Sequence, residues 1–205
     1  VTTTTSPERR LDPRMSPRDL INIGVFGALY LAVVFAINML GFLNPAVMLA
    51  ALVASIVAAG VPFMLFLTRV RHAGMVTVFA IITGGFLMLT GHPLISFVIT
   101  IGCALAAELI IWVGRYASRR LSVLAYAVYS AWYAGPMMPI FYDRDAYFAG
   151  PSMQAMGADF VSQMRTLLSP PVLLAFDVST IVFGLLGGLL GLRLTRKHFE
   201  KAGLA

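Results

Sequence analysis

The chain has 205 residues, 59% of them hydrophobic and only 12% charged, with a mean hydropathy of +0.86. Those values belong to a polytopic membrane protein and leave no room for a second, water-soluble domain. The formal charge of +6 would suggest nucleic acid or acidic lipid on a soluble surface, but the charges fall between apolar runs, so no nucleic-acid partner is expected and the lipid bilayer is. The single cysteine, Cys103, sits inside an apolar run, which excludes an internal disulfide and any Cys-rich metal site.

Residues 1–19 are polar and rich in Thr, Pro and Arg, and they read as a mostly disordered cytoplasmic tail. Ser16, Pro17 and Asp19 mark a helix start. The first apolar run, Ile21 to Gly41, carries no charge and is about 30 Å long as a helix, enough to cross a bilayer. Gly24, Ala28, Ala32 and Ala36 recur every fourth residue, giving a stripe that serves either packing within the chain or docking onto another protein. Further runs cover Pro45 to Leu67, Gly74 to Thr90, Pro93 to Gly114, Leu121 to Ile140 and Pro171 to Leu192. The expected fold is therefore all-α, with six transmembrane helices in a membrane domain at 20–194 and a basic tail at 195–205. The fifth run, with Tyr126, Tyr129, Trp132, Tyr133, Pro136 and Pro139, is expected to end irregularly.

Orientation follows from the basic residues, 13 of whose 15 fall on one side of this alternation. Arg9, Arg10, Arg14 and Arg18 precede the first run; Arg69 and Arg71 follow the second; Arg115, Arg119 and Arg120 follow the fourth; Arg193, Arg196, Lys197 and Lys201 follow the sixth. Only Arg144 and Arg165 fall opposite, so both termini are expected in the cytoplasm of a cell whose membrane the protein spans. The outer side then holds one long connection, Phe141 to Pro170. Ser152 is placed to cap an amphipathic helix with Met153, Met156, Phe160, Met164, Leu167 and Leu168 on one face, either lidding a cavity or anchoring the loop. Tyr142, Asp143, Arg144, Asp145 and Tyr147 before it read as a solvated turn with a local ion pair, or as part of a site.

Ionisable residues within spans are functional suspects by default. Asp177, about 9 Å into the last run, would contact a ligand, be protonated, or bond to Tyr or Trp of the fifth. Glu108 lies near the cytoplasmic end of the fourth run on the face of Arg115, which suggests snorkelling, a basic loop partner, or contact with a cytoplasmic-side protein. Trp132, Tyr133 and Tyr142 are either an interfacial belt or cavity walls. His92, in the turn Thr90-Gly91-His92-Pro93, is a structural turn residue or, with Met137 and Met138, a haem-iron ligand. His72, His92 and His198 fall in inner, outer and inner loops and share no metal site. No Walker A, H-E-x-x-H or G-x-S-x-G sequence occurs, so an enzyme is not expected.

The stretches SPRDLINIGVFGALY, NPAVM, GHPLI and YSAWYAGPMMPIFYDRDAY resemble the substrate-binding S component of energy-coupling factor (ECF) transporters, of the type labelled MptD or Trep_Strep. The resemblance covers about Ser16 to Lys201. It implies a subunit that captures a vitamin- or cofactor-like molecule outside and hands it inward through a transmembrane T subunit driven by two cytoplasmic ATPases. ATP would be used by those partners, with no cofactor held by this chain. By the same resemblance, Ala28, Ala32 and Ala36, with Gly24 in place of an alanine, would dock on the T subunit. The outer-half pocket would involve Ser96, Thr100, Trp132, Tyr133, Tyr142 and Asp177, with Asn38 and Asn44. Few charges and many aromatic and Met side chains suit a flat, largely apolar heterocycle, a tetrapyrrole such as haem being one candidate. The alternative is a stand-alone six-helix proton- or ion-coupled carrier using Asp177 or Glu108, and a third reading is a non-transporting scaffold.

Overall fold

The computed structural model describes residues 15–201, and every regular element among them is helical. Arg9, Arg10, Arg14 and most of the expected N-terminal tail lie outside the described residues, as do the last four positions. Helix α1 (Pro17–Asn38) starts inside the segment expected to be tail. Ser16 and Asp19 form a reciprocal capping box, the Asp19 carboxylate accepting from the Ser16 N–H at 2.8 Å and hydroxyl at 2.7 Å, which satisfies donors the first turn cannot. His72 Nδ1 sits 3.1 Å from the same carboxylate, pinning the start of α1 to a later turn.

A 3-10 turn (Met39–Phe42) leads to α2 (Pro45–Leu67), whose first turn is capped by Asn44. Then come α3 (Met75–Leu89), α4 (Leu94–Val113) and α5 (Arg119–Ser130). Among the described residues, four segments are long and apolar enough to cross a membrane: Pro17–Phe42, Pro45–Leu67, Leu94–Val113 and Pro170–Arg196. Helix α3 has 15 residues and α5 only 12, about 22 and 18 Å. The fifth apolar run is thus not one helix to Ile140. It passes from α5 into a 3-10 segment (Ala131–Met137) and then α6 (Pro139–Tyr142). Pro136 has no N–H to continue an α-helix, and a Cβ on Gly135 would lie 2.9 Å from the Ser96 backbone, so only glycine lets this stretch lie against α4.

The long connection after α6, expected on the outer side, folds into α7 (Arg144–Ala149), α8 (Pro151–Gln154) and α9 (Ala158–Leu167). The single helix expected from Ser152 is two, because Gly157 breaks it at φ +90°, a conformation that other residues adopt at a cost. Helix α10 (Pro170–Lys201) closes the bundle and continues through much of the segment expected to be a basic tail.

Aromatic rings fill the centre. Phe63 stacks on Tyr129 at 4.8 Å and Phe66 on Phe79 at 4.7 Å, while Tyr30 meets Phe79 edge-on at 5.5 Å. Their polar ends are bonded across helices: Trp132 Nε1 donates to the Tyr30 hydroxyl at 2.8 Å, the Ser55 hydroxyl to Tyr133 at 3.0 Å, and the Tyr126 hydroxyl to the Ile56 carbonyl. Helix α10 packs on α2 and α5 through glycine. A Cβ on Gly60 would fall 2.3 Å from the Gly187 backbone, one on Gly191 2.5 Å from the Gly60 carbonyl oxygen, and one on Gly184 2.8 Å from Ala127 Cα. Small residues at four-residue spacing permit this backbone approach.

Glu108 neither snorkels nor pairs with a basic loop residue. It is buried, and Oε2 accepts from the backbone N–H groups of Val76 at 2.9 Å and Thr77 at 3.2 Å. Gly74 offers α3 no side-chain cap, so a carboxylate from α4 caps it instead. Oε1 accepts from the Tyr116 hydroxyl at 3.1 Å. Tyr116 reaches back because Arg115 and Tyr116 are both left-handed, at φ 50° and 55°. Burial first, then the facing carboxylate, pushes this phenol above its ordinary range, so it remains a donor.

Two expectations follow. Gly60→Leu or Gly191→Leu forces α2 and α10 apart and lowers the melting temperature in detergent, with a cost of about 1–3 kcal/mol or more. Gly85→Ala and Gly102→Ala, where a Cβ meets nothing within 4 Å, leave it unchanged or slightly higher. Glu108→Ala strands two helix N–H groups and destabilises by about 1–3 kcal/mol for each donor left unpaired. Glu108→Gln keeps an acceptor there and melts much closer to the parent.

Candidate functional site

At the end of the bundle where α1 finishes, a cavity of about 250 Å³ opens beneath the short helices α7 to α9. The last turns of α1 bring Val34, Phe35 and Asn38, the 3-10 turn after it Met39, Gly41 and Phe42, and α2 Met48 and Leu52. Leu87 and His92 flank the turn from α3 to α4, and the second 3-10 segment supplies Trp132, Tyr133, Pro136 and Met137. The cover is Tyr147, Met153, Met156, Phe160 and Met164. No Asp, Glu, Lys or Arg lines the wall.

Trp132, Tyr133, Pro136 and Met137 of the 3-10 segment 131–137 all reach the wall, and the Trp132–Tyr30 and Tyr133–Ser55 hydrogen bonds fix the two rings. Both aromatic polar atoms are occupied inside the protein. Three polar side chains remain, Asn38, His92 and, on the cover, Tyr147. Asn38 Oδ1 is buried without a partner. His92 Nδ1 lies 3.0 Å from the Leu87 carbonyl oxygen, and a carbonyl only accepts, so Nδ1 carries the proton and Nε2 a lone pair. Burial, against the opposing pull of that carbonyl, lowers the His92 pKa below its ordinary value and keeps the ring neutral.

The cover is laced to itself, α7 to the end of α9. Arg144 donates to the Leu168 carbonyl at 2.6 Å and to that of Arg165, capping the end of α9. Arg165 in turn pairs with Asp145 at 2.7 Å. Both guanidinium groups lie over the Phe148 ring, at 5.3 and 5.0 Å. The polar cluster at 142–147 therefore braces the cover, with Asp143 capping α7 through the Ala146 N–H.

Of the residues singled out for binding, the structure brings Asn38, His92, Trp132 and Tyr133 to this cavity. Asn44 is the α2 cap. Ser96 is buried under Gly135, and the Thr100 hydroxyl donates to the Ser96 carbonyl within α4. Tyr142 is 70% exposed. Asp177 stands on α10 away from this wall, with Oδ1 buried and unpartnered. Sequence reasoning missed Val34, Phe35, Met39 and Met48, because a helix apolar on every side carries no signal of which face turns inward. That stripe, Gly24, Ala28, Ala32 and Ala36, is exposed along its whole length, and a Cβ on Gly24 would meet nothing within 4 Å. The face of α1 that packs inside is Ile23, Gly27, Tyr30 and Val34.

Residues 17–201 match the family model described as "Hypothetical bacterial integral membrane protein (Trep_Strep)". The chain belongs to this family. It is thus a bacterial integral membrane protein, and a Trep_Strep fold here means an all-helical bundle with an apolar cavity at one end. No curated protein and no solved structure matches this Trep_Strep chain.

Replacing Arg144 with Ala removes the cap on α9. Amide exchange across 144–168 is expected to rise by about tenfold or more, with the bundle's melting temperature nearly unchanged. Equal loss of protection in α2 and α10 would show instead that cover and bundle unfold together.

Proposed function

We infer that this Trep_Strep protein is the substrate-capture (S) subunit of an ECF-type importer. It spans the membrane six times with both termini inside, binds a small molecule under the outer cover, and docks on a T subunit driven by two ATPases that use the ATP. It acts as a binding subunit and not as an enzyme.

The observation that carries this reading is the division of labour on α1. Its outer end forms cavity wall through Val34, Phe35 and Asn38, while Gly24, Ala28, Ala32 and Ala36 are exposed on the opposite face and a Cβ on Gly24 would meet nothing within 4 Å. Packing within the chain does not explain the stripe. A partner helix approaching it closely does. The remaining two apolar helices, α3 and α5 with its 3-10 extension, complete six crossings, and the 13-to-2 division of basic residues orients them.

The wall suits a flat, largely apolar and uncharged heterocycle. A dry cavity of about 150 Å³ accepts benzene, so about 250 Å³ suits a ligand of one to three rings. A tetrapyrrole such as haem enters only with the cover displaced. The unpartnered Asp177 motivates the second reading, a proton- or ion-coupled carrier, whereas Glu108 is committed to capping α3.

Ala32→Trp is expected to abolish co-purification with the T subunit and the ATPases and to abolish uptake, while leaving the purified chain folded. If assembly and uptake both survive, the docking assignment is wrong. Uptake that persists without any ATPase but is lost in Asp177→Asn would favour the carrier.

A further inference from the structure

We propose that the cavity contains a soft-metal site, in which His92 Nε2 and the thioether sulfurs of Met153 and Met156 bind a monovalent d10 cation of the Cu(I) type. The inference rests on the cavity and not on the transport reading.

Six of the chain's 11 methionines line this one space: Met39, Met48, Met137, Met153, Met156 and Met164. Methionine serves elsewhere as adaptable apolar filler, and filler alone would need no nitrogen. Here the thioethers share their cavity with a histidine already arranged as metal-ligating histidines are. One ring nitrogen donates to a backbone carbonyl, which fixes the tautomer and leaves the other's lone pair available. No bond to Nε2 competes for it among the described residues.

The cover brings sulfur to that nitrogen. Helix α8 lies over the turn that carries His92, since a Cβ on Gly91 would stand 3.7 Å from Ser152 Oγ, and Met153 and Met156 follow on the same cover. With three rotatable bonds each, their sulfurs can turn toward a common centre in a space of about 250 Å³.

The donor set selects the ion. Thioether and imidazole are neutral and soft to borderline, a combination that favours Cu(I) over Mg, Ca or Mn. Among the described residues no three His, Cys, Asp or Glu side chains come together, so a carboxylate- or thiolate-based divalent site is not built. The wall offers no anion to offset charge. Desolvation cost grows with the square of the charge, so a divalent ion would pay about four times what a monovalent one does.

The test uses the purified full-length chain in detergent, in chloride-free buffer, with Ag(I) as a redox-inert d10 probe. A Cys103→Ala background removes the competing thiol. Calorimetry is expected to show one Ag(I) per chain and no Zn(II). The double variant Met153→Leu/Met156→Leu keeps the apolar wall and removes the sulfur. It is expected to weaken Ag(I) by about tenfold or more, since even outer-shell changes at metal sites cost that much. His92→Asn, which retains a donor for the Leu87 carbonyl, should do the same, and Met88→Leu, away from the cavity, should not. Unchanged melting temperatures establish that the variants are folded. Absence of Ag(I) binding to the parent, or equal binding by the double Leu variant, overturns the proposal and leaves the Ala32→Trp result to decide the transport reading separately.

Discussion

The structure depends on how polar groups of aromatic side chains are satisfied where no water is at hand. An unpaired hydroxyl or indole N–H in an apolar interior costs several kcal/mol. The α5 segment and its 3-10 extension carry Tyr126, Tyr129, Trp132 and Tyr133, and each finds its partner on another helix: the Ile56 carbonyl and Ser55 on α2, Thr83 on α3, Tyr30 on α1. A segment too short to span as one α-helix thereby becomes the hub. It fixes the rotation of α1, α2 and α3 about itself, and the ring stacking around Phe63 and Phe79 follows.

The same hub explains why the cavity lies where it does. The Trp132–Tyr30 and Tyr133–Ser55 hydrogen bonds hold the end of the fifth run against α1 and α2, where the cavity wall forms. Gly135 against Ser96 and the missing N–H of Pro136 impose the tighter winding. Local backbone chemistry therefore reaches the site through ring placement, and the apolar character of the wall follows from the aromatic donors being spent inside.

Much of the fold was legible because the relevant signals are local or additive. Pro45 to Leu67 is an unbroken apolar run bounded by polar residues on both sides, and the helix has those ends. Ser16 and Asp19 announce their own capping box. What escaped reading depends on partners distant in sequence. Glu108 looked like an expensive charge near an interface, and only the fold reveals that a helix 31 residues earlier lacks a cap. The break at Gly157 was hidden by a helical Met spacing that continues on both sides of it. At the site, His92, Trp132 and Tyr133 were recognisable as unusual residue types at an outer end, whereas Ser96, Thr100 and Asn44 are spent on backbone hydrogen bonds or packing that composition does not display. Which face of α1 looks inward was likewise undecidable from a helix apolar on every side.

The contact between α10 and α2 has one more implication. Shear between helices ordinarily proceeds by side chains hopping from one groove to the next, and here there are none to hop: Gly60, Gly187 and Gly191 place backbone on backbone. A three-residue slip of α10 in one direction would bring Leu190 and Leu194 to where Gly187 and Gly191 fit, so sliding that way is blocked. That side of the molecule is closed backbone to backbone, whereas the cavity is closed by α7 to α9, whose arginines join these helices to one another and whose Phe148 and Met164 pack into the core.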